Sequence, residues 1–189
     1  EGIFVGGSAI SAPIIGEDFN WSGGDGTYQV LDDGGGNWRI KFLSSGTFTP
    51  LKNMVIDVFL VGGGGGAGSS YCGAGGAGYT TTVRSVVVAA NTAYPIVVGA
   101  AGTQTYTVQS DGGTSSAFSA VANGGHHSVS GDKTWKKTGA NGGSGGGGQY
   151  ADGGTDGSDG ATGDTAGGKG QGTTTREFGE ADGDLYASG

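Results

Sequence analysis

The stretch that decides the fold is residues 54–68, which read MVIDVFLVGGGGGAG. Its first eight residues are rich in β-branched and aromatic side chains, and they form the strongest strand pattern in the chain. Five consecutive glycines follow at once, and glycines have no side chains to pack. The second half is therefore either a tight turn that cradles a ligand or the start of a structure built from glycine itself.

Strand patterns continue on both sides of this stretch. In residues 38–42, Trp, Ile and Phe alternate with Arg and Lys, which predicts a half-buried antiparallel strand. A β-branched run over 79–90 and a shorter run over 93–98 predict two more strands, with Pro95 at an edge or bend. Further short strands are expected at 47–49, 105–109, 116–122 and 127–130. Because no helical apolar spacing persists, the predicted fold class is all-β, a β-sandwich or jelly-roll-like domain with essentially no helix.

Glycine accounts for 47 of the 189 residues, against a usual share of about 7%. Three prolines and the absence of a Gly-X-Y period exclude collagen. After about residue 138 glycines recur every few residues. Such a segment either remains a disordered linker or packs as extended, polyproline-II-like runs whose bare faces hydrogen-bond to one another. The specific residues Tyr150, Arg176, Phe178 and Tyr186 favour the packed bundle.

These patterns divide the chain into three parts. Residues 1–37, short apolar pieces separated by Gly, Pro and Asp clusters, are predicted to be an N-terminal attachment arm. Residues 38–138 are the β-sandwich domain, with a glycine-rich insertion at 62–78, and residues 139–189 pack as extended runs that continue beyond 189. The insertion should lie beside the glycines of 142–172. The glycines expected to form this bundle are Gly62, Gly63, Gly64, Gly65, Gly66, Gly145, Gly146, Gly147 and Gly148.

Charge and hydropathy exclude several kinds of partner. The formal net charge of −8 argues against binding to nucleic acid or an anionic membrane. No apolar run reaches the roughly 18–20 residues that span a bilayer, so membrane insertion is not expected. The single Cys72 cannot form an internal disulfide, and no cysteine pair indicates a zinc site.

Two glycine motifs resemble nucleotide sites but lack the required context. Gly62-x-Gly64-x-x-Ala67 follows a strand, as a dinucleotide fingerprint does, yet no helical pattern follows to receive a phosphate. Residues 163–169 match the beginning of a P-loop, but Gly170 stands where Ser or Thr would bind magnesium. We therefore expect no nucleotide and no cofactor.

Metal and catalytic sites are not predicted either. Four aspartates between residues 152 and 164 lack the order of calcium-binding repeats, and solvated turns are the better interpretation. His126 and His127 are expected on a strand, where adjacent side chains diverge to opposite faces, so they should not share a metal. No nucleophile motif or paired carboxylates are visible, so the chain is expected not to be an enzyme.

Aromatic residues at the border of the glycine tail are the better candidates for ligand contact. Trp135 and Tyr150 offer flat rings that stack on sugars or anchor interfaces, and capping the β core is the alternative role for both. His127 is the third candidate receptor contact, because one histidine of the pair can reach a ligand.

The order of these pieces resembles the glycine-rich domain of bacteriophage tail-fibre, tail-tip and baseplate proteins. The segments that carry the resemblance, which covers about 38–189, are FTP (48–50), VIDVFLVGGGGGAG (55–68), AYPIVVGAAG (93–102), DGGTSSAF (111–118) and GGKGQGTTTREFGE (167–180). The resemblance implies a virion structural protein whose β domain presents a glycine bundle, located in the tail and extracellular after release. It implies other tail proteins as partners through residues 1–37, a host cell-surface receptor such as a glycan, and a homotrimer as a candidate assembly.

The functional prediction is a structural and adhesion component of a phage tail that contributes to host attachment. The alternative is a cell-surface or secreted glycine-rich structural protein, such as a filament subunit. A filament would need a donor strand or an exposed edge, and residues 1–37 are the candidate donor.

Overall fold

The computed structural model describes residues 2–8, 12–68, 73–105, 108–128, 139–146 and 176–186. Within these ranges the strands are β1 (Gly2–Ser8), β2 (Phe19–Trp21), β3 (Tyr28–Gly34), β4 (Asn37–Phe42), β5 (Gly46–Pro50), β6 (Met54–Val61), β7 (Thr80–Val88), β8 (Tyr94–Val97), β9 (Ser115–Ala117) and β10 (Ala120–Ala122). A short 3-10 helix at Glu177–Gly179 follows them.

The strands form two antiparallel five-stranded sheets. Sheet A has the order β3-β4-β1-β6-β7, and sheet B has the order β10-β9-β8-β5-β2. One buried apolar cluster contains residues from both sheets, so the sheets pack face to face. The predicted all-β, sandwich-like class is confirmed.

The core lies between the two sheets and is built by alternation along each strand. In sheet A, Val5 pairs with Ile40 on one side and with Val58 on the other, and all three side chains are fully buried. Sheet B contributes Phe48 and Ile96 to the same cluster. Residues two apart on a strand share a face, so this register directs the apolar set of each strand into one core.

Strand β6 ends where the five glycines begin, as predicted. The four residues before them, Val58, Phe59, Leu60 and Val61, are all buried, although alternate side chains point to opposite faces of the sheet. This strand is therefore covered on both faces along its second half. No helix follows Val61 within 62–68, which removes the dinucleotide-site geometry.

The segment predicted to be an attachment arm is built into both sheets. Strand β1 is the middle strand of sheet A and bonds to β4 and β6, whereas β2 and β3 are edge strands. Gly6 and Gly7 resemble a loop in the sequence, but the structure needs them for packing. A Cβ on Gly6 would lie 3.2 Å from the Phe178 ring, and one on Gly7 would lie 2.7 Å from the Trp38 indole.

Strands β3 and β4 form a hairpin with a two-residue turn. Gly35 and Gly36 join the two strands with φ angles of 61° and 84°. A two-residue hairpin loop with positive φ at both positions is the type that matches strand twist, and glycine adopts it without steric cost.

The outer face of sheet A is covered by residues 176–186, which we call the strap. The Phe178 ring lies 5.9 Å from Phe59, and the Tyr186 ring lies 5.2 Å from Phe4, measured between centroids. These rings form a second apolar cluster with Val61, separate from the core between the sheets. The strap explains why the outward-facing apolar residues of β1 and β6 are buried.

Two arginines on sheet A fix the strap by polar contacts. Arg39 donates from Nη1 to Glu177 Oε1 at 2.5 Å, and its Nε and Nη2 each donate to Asp33 at 2.7 Å. Arg84 donates from Nη2 to the Phe178 carbonyl oxygen at 2.7 Å. Charge-assisted bonds of this kind are stronger than neutral ones, so the strap has defined polar anchors beside its apolar contact.

Some predicted short strands are wrong. Of the strand predicted at 105–109, the described residues 105 and 108–109 carry no strand beyond an isolated bridge from Gln104 to Gln109. Of the strand predicted at 127–130, residues 127–128 are not a strand, and 106–107 and 129–130 lie outside the described residues. The single strand predicted at 116–122 is instead the hairpin of β9 and β10. Its turn residues Phe118 and Ser119 have φ angles of 49° and 65° without being glycine, so the sequence carries no turn signal there.

Candidate functional site

Six segments outside the strands pack side by side at one end of the sheets. We call them runs 1 to 6, and together the glycine bundle; they are 62–68, 73–79, 99–105, 108–114, 123–128 and 139–146. Run 1 continues β6 and run 2 leads into β7, while run 3 continues β8 and run 4 leads into β9. Run 5 continues β10. Successive runs therefore lead out from the sheets and back again.

The hydrogen bonds between runs repeat every three residues. From run 1 to run 2, Gly62 N–H donates to the Tyr79 carbonyl at 2.9 Å and Gly65 N–H donates to the Gly76 carbonyl at 2.8 Å. From run 1 to run 4, the N–H groups of Gly63 and Gly66 donate to carbonyls that are also three residues apart. Three residues per turn is the period of the polyproline-II helix, which has no internal hydrogen bonds and can bond only to neighbours.

Run 1 lies at the centre of this arrangement. It bonds to run 3 through the Gly64 carbonyl, which accepts from Gly102 N–H at 2.7 Å. It bonds to run 5 in parallel, since the carbonyls of Gly63 and Gly66 accept from residues 125 and 128. With runs 2 and 4, run 1 therefore has four neighbours, whereas a strand has at most two.

The late glycine run joins the bundle through its described part. Ala77 N–H of run 2 donates to the Ser144 carbonyl at 2.9 Å, and His126 N–H of run 5 donates to the Asn141 carbonyl at 2.8 Å. Run 6 bends at 142–144, and Gly146 N–H donates back to Ala140 at 2.9 Å. The early and late glycine segments are thus in direct contact over these residues.

Close backbone approach explains why these positions are glycine. A Cβ on Gly63 would lie 2.0 Å from the Ala100 carbonyl oxygen, and one on Gly65 would lie 2.1 Å from that of His126. On Gly125 it would lie 2.1 Å from the Gly76 oxygen. Because those oxygens belong to backbone that is itself bonded between runs, a side chain cannot be accommodated without separating the runs.

A buried serine connects the sandwich to the bundle. Ser115 is fully buried, and its Oγ donates to the Val61 carbonyl at 2.6 Å while accepting from Gly99 N–H at 2.9 Å. One hydroxyl thereby pairs with the last carbonyl of β6 and with the first N–H of run 3, which would otherwise be buried without hydrogen bonds.

The far end of the bundle is defined by the points where runs turn back. Runs 1 and 2 are antiparallel, with 62 beside 79 near the sheets, so residues 68 and 73 lie at the other end. The same reasoning places residues 105, 108 and 128 there, because run 4 is antiparallel to run 3 and run 5 is parallel to run 1. These ends of runs 1 to 5 therefore lie at the side of the bundle away from the sandwich.

The structure covers only part of the predicted site. Gly62 to Gly66 form most of run 1, and Gly145 and Gly146 are buried in run 6. Gly147, Gly148, Trp135 and Tyr150 lie outside the described residues. His127 lies in run 5 near its far end, and its side chain is 37% exposed.

The two adjacent histidines converge on one carboxylate, which corrects the prediction that they diverge. His126 Nδ1 lies 3.0 Å from Asp111 Oδ2, and His127 Nδ1 lies 2.5 Å from Asp111 Oδ1. His127 N–H also donates to Oδ1 at 2.8 Å. In a run with three residues per turn, adjacent side chains differ by about 120° rather than 180°, so both rings reach the neighbouring run.

Hydrogen bonds to the carboxylate lower the pKa of Asp111 to about 2; the largest contribution comes from His127 N–H, followed by the two rings. A carboxyl whose pKa falls on folding stabilises the fold above its unfolded value, about 3.9. That contribution is lost as pH falls through the folded value. Asp111 thus links runs 4 and 5 through a contact that acid should weaken.

We expect Asp111→Asn to lower the free energy of unfolding near neutral pH by less than about 1 kcal/mol, because the carboxylate is half-exposed and screened by solvent. The difference from the parent chain should shrink between pH of about 4 and 2. Urea denaturation across this range measures it. Asp25→Asn, which removes a carboxylate from an exposed turn, is the control; an equal pH dependence in both variants would contradict the assignment.

The described part of the chain shows neither a metal-binding cluster nor a membrane-spanning helix. No group of three or more His, Cys, Asp or Glu residues there is arranged to hold a metal ion. The same residues include no helix long and apolar enough to cross a membrane.

Asp111 is the bundle residue that the sequence analysis missed. It begins the DGGTSSAF segment, and that segment carries the resemblance without indicating a partner for its acid. The signal available in the sequence was an acid directly before two glycines, at a point where glycines pack backbone against backbone. The Asp111 side chain reaches run 5 with both oxygens while remaining half-exposed to solvent.

Comparison with known proteins gives one family. A family model described as a glycine-rich domain matches residues 43–189. No curated protein and no solved structure matches the chain. The matched range contains β5 to β10 and all six runs, while β1 to β4 precede it. The first four strands nevertheless complete both sheets of the sandwich.

Proposed function

The chain belongs to this glycine-rich domain family, and we propose that it is a structural and adhesion component of a bacteriophage tail, in the fibre, tail tip or baseplate, that contributes to host attachment. The observation that carries the proposal is the glycine bundle, in which backbone bonds at every third residue hold the runs together and the run ends lie away from the sandwich. The ordered set of segments that resembles tail proteins gives the specific assignment.

The bundle suits attachment because, among the described residues, the runs are bonded directly to one another. The bonds are made by backbone N–H and carbonyl groups of the runs themselves. Connecting residues can therefore change in sequence while the support stays constant, as in other scaffolds that present binding loops. The proposed receptor is a host cell-surface molecule such as a glycan, contacted through Trp135, Tyr150 and His127.

The attachment side of the molecule is proposed to lie in residues 1–37, which bind other virion tail proteins. In that segment Ile14 and Ile15 are 52% and 40% exposed in the loop before β2. These two adjacent side chains would offer an apolar contact to such a partner. The chain is proposed to reside in the virion tail, to become extracellular after release, and to assemble as a homotrimer.

The position of β1 weighs against the filament alternative in its strand-exchange form. Both edges of β1 are bonded within its own sheet, to β4 and to β6. Donating this strand to a neighbour would require Ile3 and Val5, which are fully buried, to leave the core of their own subunit and another copy of β1 to take their place. A tail component with the strand retained requires no such rearrangement.

Two experiments test the proposal. Immunogold electron microscopy of the phage particles that contain this chain should label the tail. Label confined to the capsid or to cell envelopes would contradict the proposal.

The fluorescently labelled chain should bind host cells. Trp135→Ala should reduce its retention on the cells at least about fivefold, as loss of an aromatic anchor does. Val87→Ala, on the exposed sandwich surface, is the matched control and should bind like the parent.

A further inference from the structure

The outer face of sheet B, which we call the neutral face, carries no charged side chain on its five described strands. Alternate residues of these strands are buried in the core, so the residues between them point outward. Four of the outward side chains end in a hydroxyl or amide, at Asn20, Thr47, Thr49 and Ser116. Three are apolar, at Pro95, Val97 and Val121. A chain with a formal net charge of −8 thus presents one uncharged sheet face.

The strand register brings the apolar members of the neutral face together. Val121 lies opposite Ser116, and Ser116 lies opposite Val97 on the next strand. Pro95 lies two residues before Val97 and opposite Thr47. Val97 and Val121 are 43% and 51% exposed. Covering this row, which crosses four strands, would remove apolar surface from water.

The outer face of sheet A is different, because it is charged and partly covered. Arg39 and Arg84 bond to the strap, and Lys41 lies 5.8 Å from the Tyr186 ring centroid. The charged residues just before β2 and just after β5, Asp18 and Lys52, form a salt bridge with each other. Of the two outer sheet faces in the described chain, that of sheet B is therefore the one that is exposed without charge.

The charge of the chain indicates what covers the neutral face. A strongly charged partner gains no ion pair there, because the face offers no opposite charge. Two copies of the chain repel each other where their acidic surfaces meet, since like charges across an interface are unfavourable. This repulsion is smallest at the neutral face, where no charge has to leave water. The same face of another copy therefore fits its chemistry.

We propose that copies of this chain associate by bringing their neutral faces together. The edge strands of sheet B, β2 and β10, have three residues each, so the contact is made by the face and not by strand pairing. The inference adds to the proposed function the surface at which copies meet, and it rests on the proposed homotrimer only for their number.

The size of the neutral face predicts how tightly the copies bind. Five strands spaced about 4.8 Å apart make a surface about 20 Å wide. The strands are only three to five residues long, so the face covers a few hundred Å², below the roughly 800 Å² per partner of stable complexes. The association should therefore be reversible and depend on protein concentration.

Sedimentation velocity of the full chain between about 10 and about 500 µM measures the association. Val97→Asp should raise the dissociation constant at least about tenfold, because it places like charges at the contact. Val121→Asp should do the same, and its position on an edge strand keeps the test available where Val97→Asp does not fold. Val87→Asp adds the same charge at a residue that is 75% exposed on β7 of sheet A, and it should leave the constant unchanged.

Salt provides an independent test. Association through the neutral face should strengthen as salt rises from about 20 to about 500 mM, because screening reduces the repulsion between the remaining acidic surfaces. Association that weakens with salt, as paired charges do, would overturn the proposal. A parent chain that stays monomeric, or equal weakening by Val87→Asp and Val97→Asp, would overturn it as well.

The mass of the assembly separates this inference from the proposed function. A trimer that Val97→Asp disrupts supports both the neutral-face contact and the proposed assembly. A dimer that Val97→Asp disrupts supports the contact and contradicts the proposed homotrimer. Neither result depends on where the chain lies in a particle, which immunogold labelling tests separately.

Discussion

Replacing Gly65 with alanine is expected to lower the free energy of unfolding by about 2–4 kcal/mol, because overpacking against fixed backbone forces the runs apart. The new methyl group would lie 2.1 Å from the His126 carbonyl oxygen and 2.8 Å from that of Gly125. Neither oxygen can retreat freely, since both belong to run 5, which is bonded to runs 1 and 2. Thermal or urea denaturation of the purified variant measures the loss.

The adjacent residue supplies a matched control. Among the described residues, a Cβ on Gly64 would meet only the Gly76 carbonyl oxygen, at 3.9 Å, which is ordinary contact. Gly64→Ala should be neutral or stabilise by up to about 1 kcal/mol, because alanine restricts the unfolded chain more than glycine does. If the two variants lose equal stability, close contact with the neighbouring backbone is not the reason for glycine at position 65. The packing described for the bundle would then be wrong.

The second large effect is expected in the core, where Phe48→Ala should cost about 3–5 kcal/mol through lost burial and the cavity that remains. Phe48 is fully buried. Its ring lies 5.5 Å from Phe19, 5.8 Å from Phe42 and 6.1 Å from Phe118, so it joins β2, β4 and the turn between β9 and β10. Equilibrium denaturation in urea measures the loss.

Val87→Ala is the comparison for this change, because Val87 is 75% exposed on β7. Its effect should stay within about 0.5 kcal/mol. A small effect of Phe48→Ala, comparable to that of Val87→Ala, would mean that the two sheets do not share the core described above.

The strands that could be predicted from sequence are those whose burial leaves a local pattern. β4 alternates between Arg or Lys and large apolar residues, and β6 is apolar nearly throughout, so both were located closely. β1 could not be recognised as a central strand, because Gly6 and Gly7 resemble a loop. Only the tertiary structure shows that they make room for the Phe178 and Trp38 rings.

The sequence indicates that glycine-rich runs pack together, but it does not indicate where each run lies or which side chains meet. Glycine density favours either a linker or packed extended runs, and interspersed specific residues favour the runs. The sequence predicts strands in parts of runs 3, 4 and 5, because a few β-branched or aromatic residues give the same local signal in both conformations. The convergence of His126 and His127 on Asp111 followed from the three-residue period, which the sequence alone does not reveal.

Together, the sandwich and the bundle use two different means of stabilisation in one fold. The sandwich is held by buried side chains between two sheets. The described runs of the bundle are held by backbone hydrogen bonds, and none of their residues belongs to either apolar cluster. Val61 and Gly62 mark the boundary between them, and Ser115 bonds across it. In the proposed tail protein, the sandwich would provide the base and the bundle would carry the attachment surface.

Amide hydrogen exchange by NMR tests the central claim most directly, because it reads the backbone bonds of run 1 residue by residue. Gly62, Gly63, Gly65 and Gly66 donate to neighbouring runs, whereas no acceptor for Gly64 N–H lies among the described residues. The predicted result is slow exchange at those four amides and fast exchange at Gly64, and likewise faster exchange at Asp111 than at Ser110 and Gly112. Fast exchange throughout 62–66, as in a disordered linker, or protection at every second residue, as in an edge strand, would contradict it.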